Sequence, residues 1–211
     1  MKTRDLIEVL SSGAGPAPRA VAARRLLPVA VLGLALAGAA AVAALGPAPA
    51  EMLSGVALWT KLAYAGALAV VAGWLTARLA RPVSRVALPW RLLAAVVGVM
   101  ALIGIVSLAA TPGQDRVEHL LGHSWFICPW GVLALSLPAL AGSLWAVHGL
   151  AATRPRMAGL AAGLFAGALG AMGYALACPE VSLTFVAIWY SLGIALAGVL
   201  GAFLGPRVLR W

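Results

Sequence analysis

The sequence predicts an all-α membrane protein, a polytopic bundle of six transmembrane helices with its N-terminus and C-terminus on the cytoplasmic side. Three observations carry this. Apolar residues fill 63% of the 211 positions and charged residues only 10%, giving a mean hydropathy of +1.00; a surface so poor in charge needs lipid as its solvent. Apolar runs near or above the roughly 20 residues that a crossing helix requires fall at about 27–45, 56–77, 90–110, 126–148, 157–177 and 183–205. Finally, the basic residues sort to alternate sides of those runs.

Lys2, Arg4, Arg19, Arg24, Arg25, Arg78, Arg81, Arg85, Arg91, Arg154, Arg156, Arg207 and Arg210 flank one side, and only Lys61 and Arg116 lie near the other. That bias makes the first side cytoplasmic and places the chain in a bacterial inner membrane. The net charge of +9 is therefore a topological signal and not a nucleic-acid footprint. Strict apolar–polar alternation is absent, which argues against a β-barrel.

Residues 1–27 form the sizeable polar segment, ahead of a transmembrane domain over 28–211. In M-K-T-R-D-L-I-E-V-L, Thr3 and Asp5 suit a helix start, and Leu6, Ile7 and Leu10 share one face at helical spacing. Such a short amphipathic helix suits docking to a cytoplasmic protein or lying on anionic lipid. The glycines and prolines of Ser11 to Pro18 then make a flexible tether to the membrane.

The first two spans hold one basic residue away from the cytoplasmic side, Lys61, placed beside Trp59 and Tyr64, where snorkelling to the outer interface explains it. Otherwise charge is scarce inside the spans, which removes the main support for an ion pathway. Gly159, Gly163 and Gly167 recur every four residues, Gly170 and Gly173 extend the surface, and Gly201 and Gly205 offer a matching one. Small residues so spaced permit close helix contact, within one chain or in a homodimer.

Both cysteines are followed by proline, in F-I-C-P-W at Cys128 and A-C-P-E at Cys178. The charge-derived topology puts Cys128 at the start of the fourth span and Cys178 at the end of the fifth, both at the periplasmic face. Proline beside each thiol marks a helix boundary and predicts an accessible sulfur. Three readings stand: a structural disulfide, a regulated pair that soft metals or oxidants engage, and two unrelated buried cysteines. His119 and His123, four residues apart, are candidate additional metal ligands if the outer loop is helical. No resident cofactor is expected.

The chain lacks a C-x-x-C motif, a phosphate loop, a serine elbow and a metalloprotease helix, and one cysteine pair falls short of the two that membrane disulfide-generating enzymes use. An enzyme is not expected. A small transporter or metal-efflux accessory protein is the alternative reading.

The segments M-K-T-R-D-L-I-E-V-L, A-L-G-A-M-G-Y-A-L-A-C-P-E, F-V-A-I-W-Y-S-L-G-I and G-P-R-V-L-R-W, with the spacing of the two cysteines, resemble the NrsF family over nearly the whole chain. These negative regulators of sigma F are six-span membrane anti-sigma factors for ECF sigma factors. The resemblance implies a regulator that holds its ECF sigma factor at the inner membrane until a stress such as heavy metal acts through Cys128 and Cys178. It makes residues 1–27 and the cytoplasmic loops the expected contact with the sigma factor, without a direct nucleic-acid partner.

Overall fold

The computed structural model describes residues 3–12, 21–49, 55–81, 84–150 and 152–209. Among them are α1 (Thr3–Ser12), α2 (Val21–Leu45), α3 (Val56–Leu79), α4 (Ala87–Ala110), α5 (Arg116–Leu121), α6 (Ile127–Val147), α7 (Pro155–Ala175) and α8 (Leu183–Val208), and no strand. Six of these, α2, α3, α4, α6, α7 and α8, are long and apolar enough to cross a membrane. Helix is the form that satisfies every backbone N–H and C=O within one segment, which lipid demands.

The spans read from hydropathy match these helices within a few residues at most ends. The first departs most: α2 begins at Val21, ahead of the apolar run, and carries Arg24, Arg25 and Pro28 within it. Its early turns thus absorb part of the segment assigned to 1–27. The amphipathic helix is present as α1, with Ile7 exposed; the side chains of Leu6 and Leu10, and most of the Gly/Pro tether, lie outside the described residues.

α7 is the most deeply buried span and packs against α2, α3, α6 and α8. Its glycines make this possible. A Cβ added at Gly159 or Gly163 would strike the carbonyl oxygens of Gly201 or Ala197 on α8, and one at Gly170 would lie 2.8 Å from the Val132 carbonyl oxygen of α6. Lipid tails are as apolar as the side chains, so close backbone approach and dispersion, not exclusion from water, hold such helices together. The small-residue surface is consumed inside the chain.

α4 is the least buried span and lies at the edge, against α3 and the first turns of α8. The two ends of the bundle differ in chemistry. At one, Arg25 donates to the His148 carbonyl (3.5 Å), and the His148 Nδ1 lies 2.7 Å from the Val208 carbonyl, joining α2, α6 and α8. At the other, the Ala48 amide donates to the Leu176 carbonyl (3.0 Å), closing the end that carries both cysteines.

Candidate functional site

The cysteine end is built from two connections that bear on each other. The connection before α6 turns at Gly122, whose φ of +57° favours glycine; a Cβ there would also lie 2.7 Å from the Glu180 carboxylate. Ser124 then accepts from the Cys128 amide (2.9 Å), so the helical turn carrying Cys128 starts on Ser124. Pro129 comes next, tolerated because the first turn of a helix has no use for its missing N–H.

At the C-terminus of α7 the Cys178 amide donates to the Tyr174 carbonyl (3.0 Å), carrying the turn one step beyond the helix before Pro179 stops it. The last carbonyls of a helix have no intrahelical partners and form the negative end of its dipole. Lys61 of α3 supplies a donor there. Its Nζ donates to the Cys178 carbonyl oxygen at 3.0 Å and lies 5.9 Å from the centre of the Tyr190 ring.

The two thiols are unbonded to each other and lie within electrostatic range of one another, of Lys61 and of Glu180. Cys128 is 0% exposed and Cys178 3%. Tyr174 places its hydroxyl beside the Cys128 thiol and the Ser124 hydroxyl, and its ring meets that of Tyr190 at 5.9 Å between centres. Tyr190 ends a π-helical turn, Val186–Tyr190, within α8. Such a turn adds a residue to the helical repeat and re-aims the side chains after it, and it is common at functional sites. The Tyr190 hydroxyl is fully buried beside Cys178 and, among the described residues, makes no hydrogen bond.

Residues 10–211 match the model of a family described as NrsF, negative regulator of sigma F. The chain belongs to the NrsF family. It is 39% identical to the anti-sigma-F factor NrsF of Caulobacter vibrioides and 36% identical to the probable anti-sigma-F factor NrsF of Azospira oryzae, each alignment covering all of both chains. The family's role is regulatory and not enzymatic. No solved structure matches the chain.

Against the NrsF background, the sequence-derived site residues fare unequally. Cys128 and Cys178 come within electrostatic range of each other, and both are buried; Tyr174 lies beside the first thiol and Tyr190 beside the second. Lys61 does not snorkel outwards. It is 2% exposed and turned into the bundle. His119 and His123 line a different cleft, with Asp115, Glu118 and Glu180, which neither cysteine lines. Among the described residues no three His, Cys, Asp or Glu side chains converge on a metal position.

Sequence reasoning missed Lys61, Tyr174, Glu180 and Tyr190 as parts of the site. Two were legible: Tyr174 stands four residues before Cys178, hence on the same helix face, and Glu180 stands two residues after it. Tyr190 was not, because the π turn shifts its direction away from the regular helical repeat.

Proposed function

We propose that this chain is an anti-sigma factor of the bacterial inner membrane. It holds an ECF-class sigma factor through α1 and the basic loops, and releases it when a heavy metal or thiol oxidant engages the Cys128 and Cys178 pair. The observation that carries this reading is the full-length likeness to two curated anti-sigma-F factors. The asymmetry of basic residues supports this reading, since it favours an arginine-rich end in the cytoplasm and thiols on the periplasmic side.

The site suits a signal better than a resident ion. Two neighbouring thiols provide the soft donors that heavy metals select, while the histidines line a cleft that neither cysteine lines. Burial means that engagement first requires the 178 turn or the 122–126 turn to open, so the reagent selects an opened arrangement. A cleft of about 260 Å³ between the start of α3 and the end of α7 reaches Lys61 and Cys178 and provides the approach.

The shift must then cross roughly 30 Å of hydrocarbon along rigid helices. Each tenfold change in sigma affinity requires about 1.4 kcal/mol of preference for one arrangement, within reach of a single bridge between the thiols. Transcript profiling of a deletion strain without added stress tests the proposal. One sigma regulon should rise while metal content stays constant. A primary change in metal accumulation with no such regulon would favour the efflux-accessory reading instead.

A further inference from the structure

An ammonium buried within a bundle of apolar helices is costly, and such a residue persists where it has partners and a task. Lys61 is 2% exposed, and among the described residues its hydrogen bond goes to the Cys178 carbonyl oxygen at 3.0 Å. That carbonyl belongs to the turn after Ala175, where α7 has ended and Pro179 can offer no N–H. The ammonium therefore does for this turn what a helix cap does elsewhere, at the end of the dipole where positive charge is favoured.

The bond also ties the second cysteine to a helix outside the α6–α7 pair. Lys61 lies in the second turn of α3, which continues to Arg78 at its far end, roughly 25 Å away at 1.5 Å per residue. Arg81 and Arg85 come after α3. The Tyr190 ring, 5.9 Å from the same Nζ, adds the start of α8 to the contact.

From this geometry we infer that Lys61 is the positioning residue of the thiol pair. It latches the turn of Cys178 to α3, keeps that thiol buried at rest, and passes release of the turn to the basic loop after α3. The inference rests on the proposed thiol-gated release, and its tests use readouts that do not require it.

Only two lysines occur in the chain, Lys2 and Lys61, so amine acylation can be read cleanly by peptide mass spectrometry. In resting membranes Lys61 of the wild-type protein is expected to resist a small, membrane-permeant acylating ester. After a small maleimide has alkylated the cysteines, acylation should be about tenfold faster or more, as expected for opening of a turn held by a charge-assisted bond. Ready acylation at rest, or protection unchanged by alkylation, overturns the latch.

Conversely, Lys61→Met should speed alkylation of Cys178 about tenfold or more and lower the reagent concentration at which a sigma-dependent reporter responds. Lys61→Arg, which keeps a donor, should stay near the wild type. Wild-type alkylation rates in Lys61→Met overturn the latch, and if that variant fails to accumulate, wild-type acylation decides alone. Should Cys128→Ser and Cys178→Ser leave the reporter response intact, the proposed thiol-gated release fails while the labelling still decides the latch. Should serine abolish the response but Lys61→Met behave as wild type, the latch alone fails.

Discussion

The carboxylate of Glu180 closes over the turn that leads into α6, its Oε1 2.7 Å from the His123 amide nitrogen. Ser124 donates to the same oxygen through its amide and its hydroxyl, both at 3.1 Å. One side chain from the connection after Cys178 therefore organises the connection before Cys128. With Glu180 only 9% exposed, its loss strands three donors. Glu180→Ala should cost about 2–3 kcal/mol, read as a fall in thermal unfolding temperature in detergent, and Glu180→Gln, which keeps an acceptor oxygen, should cost less.

The crossing of α7 and α8 leaves no space for a methyl group. A Cβ at Gly163 would collide with the Ala197 carbonyl oxygen and lie 2.8 Å from the Gly198 Cα, both backbone atoms that no rotamer change can move. Gly163→Ala should therefore cost more than the roughly 1 kcal/mol that alanine returns in helix propensity, and Gly163→Leu should abolish accumulation in membranes. Gly98→Ala is the control, since a Cβ there meets nothing within 4 Å. Immunoblots of membrane fractions and thermal unfolding check both.

Tyr190 gives the opposite expectation. Its hydroxyl is buried and, among the described residues, makes no hydrogen bond, so Tyr190→Phe removes a desolvated group and keeps the ring packed on Tyr174. Stability should stay level or rise by about 1 kcal/mol. A loss larger than that in detergent unfolding would mean that the hydroxyl holds a partner in the membrane.

At the other end, the proposed function makes α1 the contact for the sigma factor. Replacing Leu6, Ile7 and Leu10 together with serine removes the apolar face while leaving the six spans untouched. Retention of the sigma factor in membrane pull-downs should fall by about tenfold or more, since a few apolar anchors carry most of such helix-in-groove affinity. Unchanged retention moves the contact to the basic loops.

Hydropathy revealed the spans because lipid imposes length and apolarity on every crossing helix, and the four-residue glycine spacing of α7 announced the tight crossing with α8. The cysteine pair was legible through topology, since Cys128 and Cys178 fall at the same end of neighbouring antiparallel helices. The inward direction of Lys61 escaped. A lysine one turn from a span end beside Trp59 and Tyr64 has the composition of an interfacial anchor, and only the uncapped carbonyl of Cys178, a tertiary neighbour 117 residues away, turns it inwards. Buried cysteines stood as one of three readings while the prolines pointed to accessible sulfur, because Tyr190, which ends the π turn of α8 beside Cys178, is a tertiary neighbour. The histidines line a cleft with Asp115, Glu118 and Glu180 that neither cysteine lines, a placement that their four-residue spacing alone does not give.

The most direct measurement is co-isolation of the sigma factor with the membrane-embedded protein, before and after a brief exposure of cells to a soft metal ion or a thiol oxidant. The sigma factor should co-isolate at rest, be lost from the wild-type protein on exposure, and keep its resting behaviour in the Cys128→Ser, Cys178→Ser double variant whatever is added. Failure to co-isolate at rest, or release from the double variant as complete as from the wild type, would contradict the proposed function.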